Sequence, residues 1–208
     1  MSASVPPTQL YLHQARDSPS SKECMDIYDK WAATYNAEVG DSAQSYVAPV
    51  LAAQAAIKYK AAKSPADSVI LDAGCGTGLV GQALAISGAR AIDGIDLSQP
   101  MLDIARDTGA YRDLAQADMN EPIAQKDNTY DIVSCVGTFT LGHVGPDPAL
   151  RELVRVTKPK GIVVATILQQ IWVPGGFEAE VEKLRAEDYV KGHGDKAVLL
   201  IIQKSQRA

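Results

Sequence analysis

No apolar run in this 208-residue sequence approaches the ~20 residues needed to cross a bilayer. Its first residues, MSASVPPTQLYLHQARDSPSSKE, contain neither the basic start nor the apolar stretch of a leader. A cytoplasmic protein without membrane association is therefore expected. Cysteine is scarce: Cys24, Cys75 and Cys135 are odd in number and have no CxxC or CxxH spacing, which argues against a disulfide framework and a zinc site. Reduced thiols and no metal are expected. Concentrated positive charge is also lacking. The net charge is -5, and no lysine and arginine cluster exceeds what a solvated helix face carries, so nucleic acid is not expected as a partner. Nothing in the sequence speaks to the oligomeric state.

With 46% hydrophobic and 22% charged residues, the chain can bury one core and carry one appendage. Residues 1–21 are rich in Ser, Pro and Gln without apolar periodicity, and are expected to form a mobile tail. From Glu23 to Gly40, Ile27, Tyr28, Trp31 and Tyr35 recur on one side of a helix. Tyr46 follows soon after. A second helix is expected from Pro49 to Ala62, with Val50, Leu51 and Ile57 as its apolar contacts. Residues 22–66 are thus expected to form an N-terminal helical lid.

From residue 67 to 208, short apolar runs alternate with amphipathic segments: VILDA, a helix over Gly78–Ile86, AIDGID, a helix over Ser98–Asp107, a weak strand near Leu114, and YDIVSCV. A helix over Asp147–Val156, then IVVATI, a helix over Phe177–Ala186 and AVLLII complete the series. Such alternation indicates an α/β fold with a largely parallel sheet of six or seven strands and flanking helices. Ser98 followed by Pro100, and Asp147 followed by Pro148, read as helix starts; Lys158-Pro159-Lys160-Gly161 reads as a turn into the next strand.

In such sheets ligands bind at the carboxyl ends of the strands, beside the first strand-to-helix turn. VILDAGCGTG is that turn. Gly74, Gly76 and Gly78 let the backbone approach a ligand, and the amides at the helix start, around Cys75, favour an anionic group such as a carboxylate. Asp72, an acceptor when ionised, suits a nearby ammonium directly or through water. Asp96 ends the next strand, where a carboxylate meets ribose hydroxyls, and Leu97 and Met101 follow it to cover an adenine face. Asp118 can accept from an adenine amino group, with the Met119 amide available to a ring nitrogen. The set describes a nucleoside site with a zwitterionic tail, as in S-adenosyl-L-methionine (SAM). Gly76 to Gly81 also spells the dinucleotide fingerprint GxGxxG. Against NAD(P) stand the acid before the glycines, the second carboxylate after the third strand and the lack of length for a substrate domain.

DAGCGTGLVG, IDLSQPML, ADMNEP and LRELVRVTKPKG resemble successive motifs of class I SAM-dependent methyltransferases. YDKWAATYN, LDAGCGTGLVG and VTKPKG are similar to the methyltransferase-like family that includes the protein of the Williams-Beuren syndrome region. The resemblance covers about Ile27 to Ile202. It implies a Rossmann-like fold with a seven-stranded sheet, the last strand antiparallel, and SAM held by the residues named above. Between Leu184 and Ala197 the segment RAEDYVKGHGDK is short for this family, so the sixth strand is expected to be short or absent.

The sulfonium activates its own methyl group, so the protein mainly needs to hold a nucleophile in line and exclude water. The segment GTFTLGHV after the fourth strand is expected over the methyl group, with the Tyr28, Trp31 and Tyr35 helix closing above it. His143 is the candidate base toward a small-molecule methyl acceptor with an oxygen or nitrogen nucleophile, set against a purely structural role in its loop. Tyr28 and Tyr35 are expected to face the pocket. Trp172 and Phe177 are candidates for its opposite wall or for core, Glu178, Glu180, Glu182 and Lys183 for a solvated face, and His193 for a turn. NPPY and DPPY are absent after the fourth strand, which disfavours adenine or glutamine as acceptor. A SAM-binding protein that transfers no methyl group, serving as scaffold, partner or non-methylating tailoring protein, is the alternative.

Overall fold

A computed structural model of the chain describes residues 11, 14, 21–39, 47–60, 63–187, 190–193 and 199–206. Most of the expected tail, His13 and Tyr46 lie outside these residues. So do the side chains of Cys24 and His193.

The sheet has seven strands: β1 (Val69–Ala73), β2 (Ala91–Asp96), β3 (Asp113–Gln116), β4 (Tyr130–Phe139), β5 (Thr157–Ile167), β6 (Val190–His193) and β7 (Leu199–Lys204). Their order is β3-β2-β1-β4-β5-β7-β6. β1 to β5 are parallel, whereas β7 runs antiparallel to both β5 and β6. The chain steps outward from β1 to β3 and then crosses to β4 on the other side of β1. That reversal opens a crevice at the carboxyl ends of β1 and β4, the usual ligand position in this architecture. The sixth strand, expected to be short or absent, is present as four residues, and His193 ends it rather than standing in a turn.

Successive residues of the central strands point to opposite faces, which gives two cores. Leu71, Val133 and Val163 pack with Phe139, Phe177 and Leu150 on one face. Ile70, Ile132 and Val164 pack with Leu84 and four alanines on the other. The helices that cover the sheet are α2 (Ala48–Tyr59), α3 (Leu79–Ile86), α4 (Gln99–Asp107), α5 (Ala149–Val156), the short α6 (Gln169–Trp172) and α7 (Phe177–Ala186). Preceding them, α1 is Ser21–Val39.

The alanines are Ala52, Ala53, Ala55 and Ala56, the buried face of α2. Val50 and Leu51, expected as its apolar contacts, are half exposed. Small side chains let this helix approach β4, β5 and α3 closely, a fit that hydrophobicity alone does not reveal. α2 is therefore part of the sheet sandwich, unlike the separate lid expected over residues 22–66.

Other local expectations shift for similar reasons. Ser98 caps α4, its Oγ accepting from Met101 N at 3.3 Å. By contrast α5 starts after Pro148 without a side-chain cap. Lys158-Pro159-Lys160-Gly161 lies within β5 as an irregularity: Tyr130 faces Thr157 and Ile132 faces Ile162, with Lys160 at φ 63° absorbing the extra length. Glu180 is buried rather than solvated, paired with Arg151 at 3.3 Å. Phe177 stacks edge-on to Phe139 at 5.1 Å and Trp172 packs on the same core, so both are core residues. At the amino edge of the sheet, Lys63 and Lys158 each bond Asp131 at 2.9 Å, and the Lys60 ammonium donates to the Lys160 carbonyl. The fold thus gathers four lysines from two distant segments, a cluster that no single helix face shows.

Among the described residues, no helix is long and apolar enough to cross a membrane.

Candidate active site

At the carboxyl end of β1 the chain makes the turn Gly74-Cys75-Gly76-Thr77-Gly78 before entering α3. The three glycines have φ of 71°, 51° and 93°. A Cβ at Gly74 would lie 2.1 Å from Thr138 Oγ1, at the end of β4, whereas a Cβ at Gly76 would meet nothing within 4 Å. Gly74 is thus required by close packing of β1 on β4, and Gly76 fronts open space. The turn is pinned to β2: Gly74 N and Cys75 N both donate to the Ile95 carbonyl, at 2.8 and 3.0 Å.

The open space is a cleft of about 1010 Å³ including its solvent-filled mouth. Its floor holds Gly74, Cys75, Gly76, Leu79 and Val80; Asp96, Leu97, Ser98 and Met101 form one side; Asp118, Met119 and Asn120 continue it. Val136, Gly137, Thr138, His143 and Val144 stand opposite, and Met25, Tyr28 and Tyr35 reach in from α1. Leu79 and Val80 occupy the first turn of α3, where backbone amides have no acceptor within the helix. They supply positive dipole ends to the cleft.

Asp96 accepts from Gly76 N at 2.8 Å through one carboxylate oxygen and from Ser98 N at 2.9 Å through the other. Burial raises its pKa, while the Ser98 and Gly76 amides pull it back. Each oxygen retains a lone pair for a ribose hydroxyl. Asp118 folds back onto Asn120, accepting from its backbone amide at 2.8 Å and its side-chain amide at 3.0 Å.

Asp72 behaves differently from the sequence expectation. It is fully buried and does not line the cleft, so direct contact with an ammonium is excluded. Its oxygens accept from Tyr111 Oη at 2.7 Å and Ser134 Oγ at 2.9 Å. Burial pushes its pKa up to about 6, against the opposing pull of those two hydroxyls. Gly78 likewise lies behind the lining, as the left-handed residue that starts α3. Cys75 lines the cleft, and burial pushes its thiol well above the ordinary range, which leaves it neutral and a poor nucleophile.

The roof is aromatic. Trp31 is 2% exposed and stacks against Tyr28 and, edge-on, Tyr35, with centroids 5.8 and 4.6 Å away. Tyr28 meets the His143 ring edge-on at 5.6 Å. Thr140 Oγ1 and His143 Nδ1 are 2.7 Å apart. Polar side chains tie α1 to the floor: Thr77 Oγ1 donates to Asn36 and Ser98 Oγ donates to Asp29. The structure therefore brings Tyr28, Tyr35 and His143 to one cleft with Gly74, Cys75, Gly76, Asp96, Leu97, Met101, Asp118 and Met119. It leaves Asp72 and Gly78 beneath. Thr77, Ser98 and Asn120 were missed as lining residues, although each adjoins a motif, and Tyr111 carried no signal at all.

Glycine backbone, free helix-start amides, a carboxylate at the end of β2 and another beyond β3 form a donor and acceptor set that fits SAM. The comparisons agree. Residues 70–161 match the family model described as "Methyltransferase domain". The human methyltransferase-like protein 27 is 34% identical over 164 residues, covering 78% of this chain and 65% of that protein. A ubiquinone biosynthesis O-methyltransferase of Bordetella pertussis is 36% identical over 107 residues, covering 49% of this chain and 43% of the enzyme. This chain thus spans less than two thirds of the first relative and less than half of the second. A solved TehB-like SAM-dependent methyltransferase from Corynebacterium glutamicum superposes with a TM-score of 0.66 at 21% identity, covering 86% of this chain and 100% of that one. That likeness shows the shared fold. The glycine turn, the paired carboxylates and the matched domain agree: residues 70–161 of this chain are similar to a methyltransferase domain and carry a donor and acceptor set that fits SAM.

Proposed function

We propose that this protein transfers the methyl group of SAM to an oxygen or nitrogen nucleophile of a small molecule in the cytoplasm. The observation that carries the reading is the shape of the cleft: a glycine-lined floor, flanked by Asp96 and Asp118, facing an aromatic roof that carries one imidazole. When bound, SAM supplies a methyl group already activated by its sulfonium, so the remaining task is positioning at roughly 3 Å and exclusion of water.

Asp96 would hold the ribose, Asp118 and the Met119 amide the adenine, and the free amides of Leu79 and Val80 the carboxylate. Leu97 and Met101 would cover the base. α1 serves as the lid, with Tyr28 and Tyr35 enclosing the acceptor. His143 acts as the base: its ring lines the cleft beside Tyr28, with Nδ1 2.7 Å from Thr140 Oγ1, and an imidazole can take a proton from the acceptor near neutral pH. Held by these residues, SAM would supply its methyl group to the nucleophile and would leave as S-adenosylhomocysteine.

Calorimetric titration with SAM, followed by measurement of S-adenosylhomocysteine release across pooled metabolites, tests the reading. Binding with turnover on an oxygen or nitrogen acceptor is expected. Binding without turnover on any pool would favour a protein that holds SAM without methyl transfer, and absence of SAM binding would overturn both.

A further inference from the structure

Tyr111 lies between α4 and β3, outside every motif, and its ring is against three glycines. A Cβ at Gly81 would lie 2.3 Å from its Cζ; one at Gly78 would lie 3.0 Å from its Cε2; one at Gly94 would lie 3.0 Å from its Cδ1. The glycines belong to three different parts of the site: the end of the cofactor turn, the first turn of α3, and β2. Only with hydrogen in place of three side chains can a phenol ring occupy the space between them. Its hydroxyl is engaged on both sides. It accepts from Gly81 N at 3.2 Å and donates to Asp72 Oδ2 at 2.7 Å.

We propose that Tyr111 is a positioning residue of the cofactor site: its ring is the template on which the glycine turn and the start of α3 rest, and its hydroxyl couples that helix start to Asp72. The proposal rests on the reading of the cleft as the SAM site.

Two consequences follow from the chemistry. Gly81 N is a first-turn amide without a helical acceptor, so the phenol oxygen fixes the rotation and height of the α3 start, and with it the Leu79 and Val80 amides that line the cleft. The same O–H stabilises the ionised form of Asp72, a carboxylate buried under a site meant for a substrate with an ammonium group. The groups facing Asp72 are Tyr111, Ser134, Cys75, Cys135, Asp96 and the Gly81 amide. Burial and the neighbouring carboxylate drive the Tyr111 hydroxyl far above its ordinary value, and the Cys75 thiol is similarly raised, so both keep their protons at every working pH. Asp96 shares the upward direction, but its hydrogen bonds go to Gly76 and Ser98, not to Tyr111.

Tyr111→Phe keeps the ring and removes the bridge. SAM affinity at pH 8 is expected to fall about tenfold, by loss of the fixed helix start. Acid-side loss of affinity is expected to set in at higher pH than in the unaltered protein, because Asp72 loses a donor that favours its ionised form. Ser134→Ala serves as the second variant. It removes the other donor to Asp72 and leaves the Gly81 bridge intact, so it is expected to move the pH midpoint upward while SAM affinity at pH 8 stays within twofold. Calorimetry from pH 5.5 to 8.5, with thermal melts of both variants, reads these outcomes. A folded Tyr111→Phe protein with unchanged affinity and midpoint would overturn the proposal. So would a tenfold loss at pH 8 in Ser134→Ala, which would place the effect in Asp72 rather than in the bridge, even if Tyr111→Phe does not fold. Failure of the unaltered protein to bind SAM would instead strike the reading of the cleft itself.

Discussion

On the floor of the cleft, the glycine turn is bonded to the β2 backbone at the Ile95 carbonyl, and Asp96 is fixed by two amides. On the roof, α1 reaches the domain through side chains, Asn36 to Thr77 and Asp29 to Ser98, and through ring contacts such as Tyr28 with His143. Backbone bonds to β2 hold a turn that leaves no room for a side chain at Gly74. Side-chain bonds and ring edges can separate and re-form with far smaller cost, since the helix keeps its own hydrogen bonds when it lifts. The proposed function would use both: a rigid floor to orient one cofactor and a releasable roof to admit and discharge an acceptor. The difference predicts that floor changes act on SAM affinity and roof changes act on turnover or on the acceptor.

The largest effect is expected on the roof side. His143→Ala should lower turnover by about 100-fold, the scale of general base catalysis, with SAM affinity within twofold. Single-turnover kinetics beside calorimetry checks this, and a matching loss in both quantities would erase the division between floor and roof. Next comes Gly74→Ala. Its Cβ would fall on Thr138 Oγ1 and its φ of 71° is a left-handed conformation, so SAM binding should weaken by roughly 10- to 100-fold in calorimetry. Asp96→Ala removes acceptors for Gly76 N and Ser98 N as well as for ribose, and should cost about 1–3 kcal/mol of SAM affinity. Asn36→Ala should raise the KM for the acceptor a few-fold and leave SAM affinity nearly unchanged; the reverse pattern would show that α1 holds cofactor rather than acceptor.

Asp131, at the opposite edge of the sheet, gives the smallest effect on function and serves as a reference. Burial opposes its ionisation, but Val69 N, Lys63 and Lys158 outweigh that and hold its pKa at about 2. A carboxylate with a depressed pKa stabilises the fold above its ordinary value near 4, and that contribution drains away as pH falls from about 4 to about 2. Asp131→Asn should therefore flatten acid unfolding in this window without altering SAM affinity at pH 8. Asp72, raised to about 6, works in the other sense: its contribution weakens stability as pH climbs from about 4 to about 6.

Much of the fold was legible because its signals are local. Alternating strands and helices, the cap at Ser98 and the glycine turn are each written within a dozen residues, and hydrophobic period sets which face is buried. α2 was read at its correct place yet with the wrong face, since its close packing depends on alanines meeting β4 and β5. Glu180 looked like one of several exposed acids until Arg151, from another helix, was placed beside it.

The sequence alone determined the order of the elements, the position of the cofactor turn and the pair of carboxylates at Asp96 and Asp118, because spacing along the chain fixes what lies at successive strand ends. Only the tertiary structure decided that Asp72 is sealed beneath the cleft, that Tyr111 bridges it to α3, and that His143 meets Tyr28. Those facts arise where residues 30 or more positions apart are brought into contact. Burial and partner identity, which set the charge of a carboxylate and the orientation of an imidazole, are properties of that packing and not of the local pattern.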